Sequence, residues 1–280
     1  MSKSSADILV KIEQSLRVPA NDRLDLAEID PESTPEAPGK KKETKAELPA
    51  IHDRLNELQE VLYAESRRAL LVVVQAMDTG GKDGLIRKVF GPLNPQGVRV
   101  TNFKSPSDEE LAHDFLWRIH HAVPRKGMIG IFNRSHYEDV LITRVHDLVS
   151  PKIVKRRYRQ INDFERYLAE NDVTVLKFYL HISRDEQKER LQKRLDKPDK
   201  HWKFSTADLN ERKLWDEYVS AYQAMLAECS TSAAPWYIIP ANHKWYRDYA
   251  VSQIVLNTLE RMNLQYPPPE DGLDAIEIPD

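Results

Sequence analysis

The sequence predicts an α/β fold, three layers α/β/α, with a central parallel sheet between helices and a helical lid. Three observations predict it. Short continuous apolar runs recur along the chain, as strands buried on both faces require. Patterns with apolar residues three and four apart separate these runs, and strands alternating with helices build parallel sheets. A glycine-rich turn joins the first run to a helical segment.

In chain order, residues 1–49 are expected to form an extended or helical arm. Pro19, Pro31, Pro35, Pro38 and Pro49 lie beside acidic residues and the run Lys40, Lys41, Lys42. That composition suits either a disordered tail or a strap on a neighbouring copy of the chain. The main domain is expected over 50–263. It opens with an amphipathic helix from Ile51 to Arg67, where Ile51, Leu55, Leu58, Val61 and Leu62 share a face. A strand from Ala69 to Gln75 follows, and others are expected over Gly127–Phe132, Val173–Ile182 and Trp236–Pro240. Ile153, Tyr158, Ile161, Phe164 and Leu168 fit one helix face, and Leu209, Leu214, Tyr218, Tyr222 and Leu226 another. A lid is expected at about 184–215, and a C-terminal tail, with YPPPEDGLDAIEIPD, over 264–280.

Bulk properties narrow the class. With 280 residues and 41% apolar content the chain can bury a sizeable core. No apolar stretch approaches a membrane span, and MSKSSADILVKIEQ lacks a secretory layout, which points to the cytoplasm and to no membrane partner. The lone Cys229 cannot form an internal disulfide and reads as a partly buried filler. Residues 50–263 carry 33 Lys/Arg against 29 Asp/Glu. That excess is too small for a nucleic-acid binder, so anions must be held locally.

The first strand runs into Ala76-Met77-Asp78-Thr79-Gly80-Gly81-Lys82-Asp83-Gly84, and Leu85 to Phe90 is helical. Strand, glycine turn and helix come in the order a P-loop needs. Glycines let the backbone N–H groups from Thr79 through Gly81, Asp83 and Gly84 face one anion, while Lys82 reaches a phosphate oxygen. Against G-x-x-x-x-G-K-[ST], Ala76 replaces the first glycine and Asp83 the hydroxyl residue. Another oxygen must then hold Mg²⁺, and Asp78 is the candidate. The plainer alternative makes Asp78 a turn cap and Gly80-Gly81 a corner.

A second polar cluster, Asn133-Arg134-Ser135-His136-Tyr137-Glu138-Asp139, leaves the carboxyl end of a strand, where ligands of open α/β sheets bind. Arg134 can clamp phosphate, Asn133 can orient water on Mg²⁺, and Glu138 or Asp139 can accept from a base or an arginine. Ser135 and Glu138 also match a capping box. The basic segment from Glu186 to Lys203 places Arg190 and Arg194 one turn apart, on either a solvated helix or a lid. Lys152, Lys155, Arg156, Arg157 and Arg159 spread around their helix and read mostly as solvated.

The segments AMDTGGKDG, FKSPSDEELAHDFLWR, IFNRSHYEDVL, HWKFS and APWYIIPANHKWY together resemble the polyphosphate kinase 2 family, most like its class III branch, over residues 50–263. The resemblance implies a P-loop kinase-like fold and Mg²⁺-dependent phosphoryl transfer from inorganic polyphosphate to AMP or ADP, reversibly. It implies metal-side carboxylates at Asp78 and Asp139, phosphate binding by Lys82 and Lys203, and charge stabilisation by Arg134 with Arg190 or Arg194. Asn133 stands where other branches carry Asp, and Glu138 either compensates or reads adenine. Lys104 and Arg118 are chain or nucleotide contacts, or surface charges. The implied partners are polyphosphate, adenine or other nucleotides, and further copies of the chain in a homo-oligomer. Direct in-line transfer is expected, with His136 the one histidine that could argue for a phosphoenzyme. An ATP-dependent nucleoside or nucleotide kinase, or a non-catalytic sensor, would share the loop.

Overall fold

The computed structural model describes residues 5–19, 24–273, 276, 278 and 279. Residues 1–4 and 20–23 of the expected arm, and 274, 275, 277 and 280 of the expected tail, lie outside the described residues.

Five strands, β1 Ala69–Ala76, β2 Val98–Asn102, β3 Ile129–Asn133, β4 Val173–His181 and β5 Trp236–Pro240, form one parallel sheet in the order β2-β3-β1-β4-β5. Every residue of β1 is buried, which is why its sequence is a run of Leu and Val without alternation. Its side chains sort by parity. Leu70, Val72 and Val74 enter one core and Leu71 and Val73 the other.

The first core is closed by α1 (Ser5–Leu16), α2 (Lys41–Glu65), α3 (Lys82–Val89) and, later in the chain, the helix Lys244–Arg261. After α3 come the short α4 (Asp108–Ala112), α5 (Trp117–Ala122) and α6 (Ile142–Val145), and then α7 (Pro151–Glu170). The lid region holds α8 (Arg184–Leu195) and α9 (Thr206–Lys213). α10 (Trp215–Cys229) joins α5 and α7 over the second core, and Lys244–Arg261 is α11. The result is the three-layer P-loop kinase-like α/β/α architecture that the sequence predicts.

Three elements differ from expectation. β2 has no counterpart among the expected strands: it is an edge strand, half-exposed along its length, and VRVTN carries no continuous apolar run. α2 starts at Lys41, ten residues before Ile51, and continues through Pro49. Pro49 removes one intrahelical donor, and both it and Lys45, whose carbonyl loses that bond, are exposed. The stripe from Leu209 to Leu226 belongs to two helices broken at Leu214, and Leu209 is exposed. Asp216 and Glu217 in the first turn of α10 favour a fresh helix start there.

The described part of the arm lies on its own chain. Arg17 bridges Tyr237 in antiparallel fashion, Val18 N–H donates to the Trp236 carbonyl at 2.9 Å, and Ser230 Oγ donates to the Val18 carbonyl at 2.8 Å. Tyr246 Oη donates to the Pro35 carbonyl at 2.8 Å. No helix among the described residues is long and apolar enough to cross a membrane.

Candidate active site

β1 is central, with β3 on one side and β4 on the other, so the chain direction through the sheet reverses there. Such a switch point opens a crevice beyond the strand ends. The loop Met77–Gly81 fills its floor. Thr79 and Gly81 have φ of 61° and 101°, and a Cβ on Gly80 would lie 2.5 Å from the Ala76 Cβ. Ala76 therefore tolerates its place in the loop because Gly80 faces it.

Four successive loop carbonyls are bonded from behind. Gln187 Nε2 donates to Asp78 O at 3.0 Å, Arg190 Nη1 to Thr79 O at 3.1 Å and to Gly80 O at 3.0 Å, and Arg247 Nη1 to Gly81 O at 3.1 Å. A trans peptide sends its N–H opposite its carbonyl, so this side of the loop fixes the other. The amides of Gly81, Lys82, Asp83 and Gly84 donate to no backbone carbonyl among the described residues. They sit at the start of α3, where the helix dipole also favours an anion. Lys82 Nζ rests 3.0 Å from the Ala76 carbonyl, and burial, then the neighbouring Arg134, holds its ammonium below the ordinary lysine range.

Above the loop is a cleft of about 700 Å³ lined by Asp78 to Gly84, Lys104, Asn133, Arg134, Arg194, Trp202, Lys203 and Asp208. Arg134, at φ 62°, brings its guanidinium 2.9 Å from Asp78, and Asn133 Nδ2 donates to Asp83 at 2.9 Å. Burial opposes ionisation of Asp83, but Asn133 and Lys203 hold its carboxyl below the usual range. A second cavity of about 220 Å³ shares Asp78, Arg134 and Asp208 with the first and adds Glu138, Gln187, Trp215, Tyr218 and Tyr222. Burial raises the Glu138 carboxyl above its ordinary value, against Arg134 and Lys82. Ser135 alone caps the 3₁₀ turn His136–Val140; Glu138 faces the cavity and takes no part in a capping box.

Beneath that turn lies a buried ionic cluster. Lys177 Nζ donates to Tyr137 Oη at 2.7 Å, to Glu165 Oε2 at 2.5 Å and to the Cys229 carbonyl at 2.7 Å. Tyr137 Oη donates to Glu165 Oε1 at 2.8 Å, and His136 Nε2 lies 3.2 Å from the same oxygen. His136 is fully buried, and burial raises the Cys229 thiol.

The lid reaches the cleft at its tip. Lys203 Nζ is 3.4 Å from Asp83, Arg194 is 3.3 Å from Asp208, and Arg194 also holds the Lys203 carbonyl at 2.9 Å. Arg190, expected beside Arg194, lines neither cavity: its donors are bonded to Glu186, to the loop carbonyls and to the carbonyls of Ala241 and Asn242. Asp139 is likewise not brought to the loop. Its carboxylate lies 3.6 Å from Arg157, and burial raises it against Arg157 and Arg118. Lys104 lines the cleft, whereas Arg118 stays at the rim, donating to the Lys104 carbonyl at 2.9 Å and covering the Phe103 ring.

Sequence reasoning missed Gln187, Arg247, Asp208 and the trio Trp215, Tyr218 and Tyr222. Only Tyr218 and Tyr222 carried a signal, as an apolar stripe that suggested a core. Among the described residues no group of three His, Cys, Asp or Glu could hold a metal by itself. Mg²⁺ rarely asks for one, being bound through one or two carboxylates plus substrate phosphates and water. Asp78, lining both cavities, fits that demand, as does the buried Thr79 Oγ1, which has no hydrogen-bond partner among the described residues; Asp139 does not fit.

A family model described as polyphosphate kinase 2 matches residues 39–267. An AMP/ADP-polyphosphate phosphotransferase of Meiothermus ruber is 53% identical over 262 residues, 94% of this chain and 98% of that protein. An ADP-polyphosphate phosphotransferase of Rhodopseudomonas palustris is 47% identical over 77% of this chain and 78% of its own length. The crystal structure of polyphosphate kinase 2 from Arthrobacter aurescens is similar with a TM-score of 0.92 at 49% identity, covering 95% of this chain and 94% of that one.

Proposed function

The chain belongs to the polyphosphate kinase 2 family, and from that premise we infer how its residues share the work of moving a phosphoryl group from inorganic polyphosphate to AMP or ADP. The terminal P–O–P bond of the donor breaks, and an oxygen of the acceptor's last phosphate takes the phosphoryl group. The shortened polyphosphate leaves with the bridging oxygen. Such transfer needs alignment and charge neutralisation more than covalent help.

The observation that carries the assignment is the loop whose four carbonyls are bonded from behind while its amides, Lys82 and Arg134 line one cleft. The amides of Gly81 to Gly84 and Lys82 hold a donor phosphate. Arg134 leaves its partner Asp78 for the transferring group, and Arg194 and Lys203 neutralise charge from the lid. Arg190 acts on the loop from behind. Mg²⁺, when bound through Asp78 and the phosphates, would supply additional charge neutralisation. The smaller cavity, with Glu138, Gln187 and three aromatic side chains, suits the nucleotide end that meets Arg134. His136 is too deeply buried among Glu165 and Tyr137 to take a phosphoryl group, which supports direct transfer.

Supplying AMP or ADP with polyphosphate, and separately with a second nucleotide as donor, tests the donor assignment. Lys82→Ala and Arg134→Ala should each lower kcat about 10²–10³-fold, the usual loss of one preorganised donor. Near-normal rates in both would remove the site assignment, and a stable phosphohistidine would remove direct transfer.

A further inference from the structure

A second cleft, of about 680 Å³, shares no lining residue with the two above. It lies behind the phosphate loop. Its walls include Glu186, bonded to the Arg190 that holds Thr79 O and Gly80 O, and Asp248, bonded to the Arg247 that holds Gly81 O.

Its charge is one-sided. Lys41 and Lys45 of α2, Lys88 of α3, Lys193 of α8 and Lys244 of α11 converge on it. Lys193 is paired with Glu189 at 2.9 Å, but the other four lysines have no ion pair among the described residues. The two acids in the wall are taken, Glu186 at 2.6 Å from Arg190 and Asp248 at 2.5 Å from Arg247.

Local electrostatics point the same way. Helix N-termini favour acidic residues, yet α11 begins with Lys244 and has none in its first turn, and α2, which carries Glu43 there, begins with Lys41 and Lys42. Neither helix has a side-chain cap. His52 Nε2, in the same wall, is buried without a partner among the described residues. Four ammonium groups without an ion pair among the described residues crowd one cleft, and an anion there would relieve their mutual repulsion.

We propose that this reverse cleft is a second, non-catalytic binding site for a linear oligophosphate. Lysines serve as point charges for phosphate, and Lys41 and Lys45, one helical turn apart, can meet a phosphate chain at two points along its length. Trp245 adds one aromatic face, so the chain can come from inorganic polyphosphate or from the tail of a nucleoside triphosphate. The choice of ligand rests on the function inferred above; the site itself does not.

Calorimetric titration of the full chain with inorganic tripolyphosphate, without nucleotide, tests it. The wild type should bind at two sites, Lys82→Ala at the reverse site alone, and the triple variant Lys41→Ala/Lys45→Ala/Lys88→Ala at the loop alone. The triple variant should keep its thermal midpoint and, with tripolyphosphate and ADP, a kcat/KM within about twofold of wild type. Loss of all binding in Lys82→Ala, or two sites surviving in the triple variant, overturns the reverse site. Two sites surviving in Lys82→Ala would instead overturn the loop assignment and leave the reverse site standing. In Lys82→Ala, affinity that grows with polyphosphate length assigns the inorganic chain, and ATP binding as tightly as tripolyphosphate assigns the nucleotide tail. Equal displacement by citrate overturns both.

Discussion

Arg247 lines neither substrate cavity, yet it governs what the loop can offer. It holds the Gly81 carbonyl while bonded to Asp248, and its guanidinium occupies the space a Cβ on Gly81 would need. Arg247→Met should raise the KM for polyphosphate about tenfold, the equivalent of roughly 1.4 kcal/mol, with a smaller change in the KM for nucleotide. Arg247→Lys keeps a charge beside Asp248 but loses the fork. It should therefore recover the thermal midpoint more fully than the KM, and equal recovery of both would count against a positioning role. Glu138 makes a separate prediction in pH. Burial raises its carboxyl, so it takes up a proton as pH falls at a point where a surface glutamate would still be charged. The negative charge beside Lys82 and Arg134 is then lost. The acid limb this gives to the kcat/KM profile should disappear in Glu138→Gln, as a pH–rate series would show. Neither residue's setting was fully legible in sequence: Glu138 fitted both half of a capping box and an acceptor for a base or an arginine, with nothing in the spacing to choose between them, and Arg247 sat in a helix with no motif to mark it.

At the scale of elements, the 3₁₀ turn carrying Glu138 is anchored by charges that never see solvent. Lys177 on β4 and Glu165 on α7 meet under Tyr137, so the turn is tied to a strand and a helix at once. Burial opposes the Glu165 carboxylate, but Lys177 and His136 together outweigh it and hold the folded pKa below the ordinary value. A depressed carboxyl stabilises the fold fully above its unfolded pKa, about 4.3, and loses that stabilisation as pH falls through the lower, folded value. Glu165→Gln leaves Lys177 buried without its partner and should cost about 3–5 kcal/mol near neutral pH. The gap to wild type should narrow below about pH 4, and thermal melts at the two pH values would check both statements. Sequence periodicity could not disclose this tie, because Lys177 stands inside an apolar strand run and Glu165 on an otherwise ordinary helix. The lid was only half legible for a related reason. Arg190 and Arg194 share a helix face by spacing, but Arg190 is spent on the loop's carbonyls while Arg194 reaches the cleft. Spacing alone does not say how far a helix sinks into the body.

Across the whole molecule, the strands that were legible are those buried on both faces, β1, β3, β4 and β5, because burial makes them unbroken apolar runs. β2, at one sheet edge, needs no such run and left no trace. The opposite edge shows what the arm contributes. β5 pairs with β4 on one side, and on its other side Arg17 and Val18 meet Tyr237 and Trp236. Open strand edges with apolar side chains invite pairing with other chains, so a covering segment acts against aggregation as well as for stability. Ile12, Leu16, Val18 and Leu26 are nearly or fully buried there. At about 1.5–3 kcal/mol each the burial of these four contributes on the order of 6–12 kcal/mol, an upper bound because an unfolded chain already hides some apolar surface. A chain beginning at Gly39 keeps the phosphate loop, Arg134 and the lid. It should melt well below the full chain and self-associate on size exclusion, while its soluble fraction retains the KM for nucleotide. Val18→Asp, in the full chain, should reproduce a lesser form of the same defect by burying a charge in the second core beside this edge. If the shortened chain instead melts with the full one and elutes as the same species, the arm is not what closes this edge, and β5 must resist pairing through its own wholly buried face.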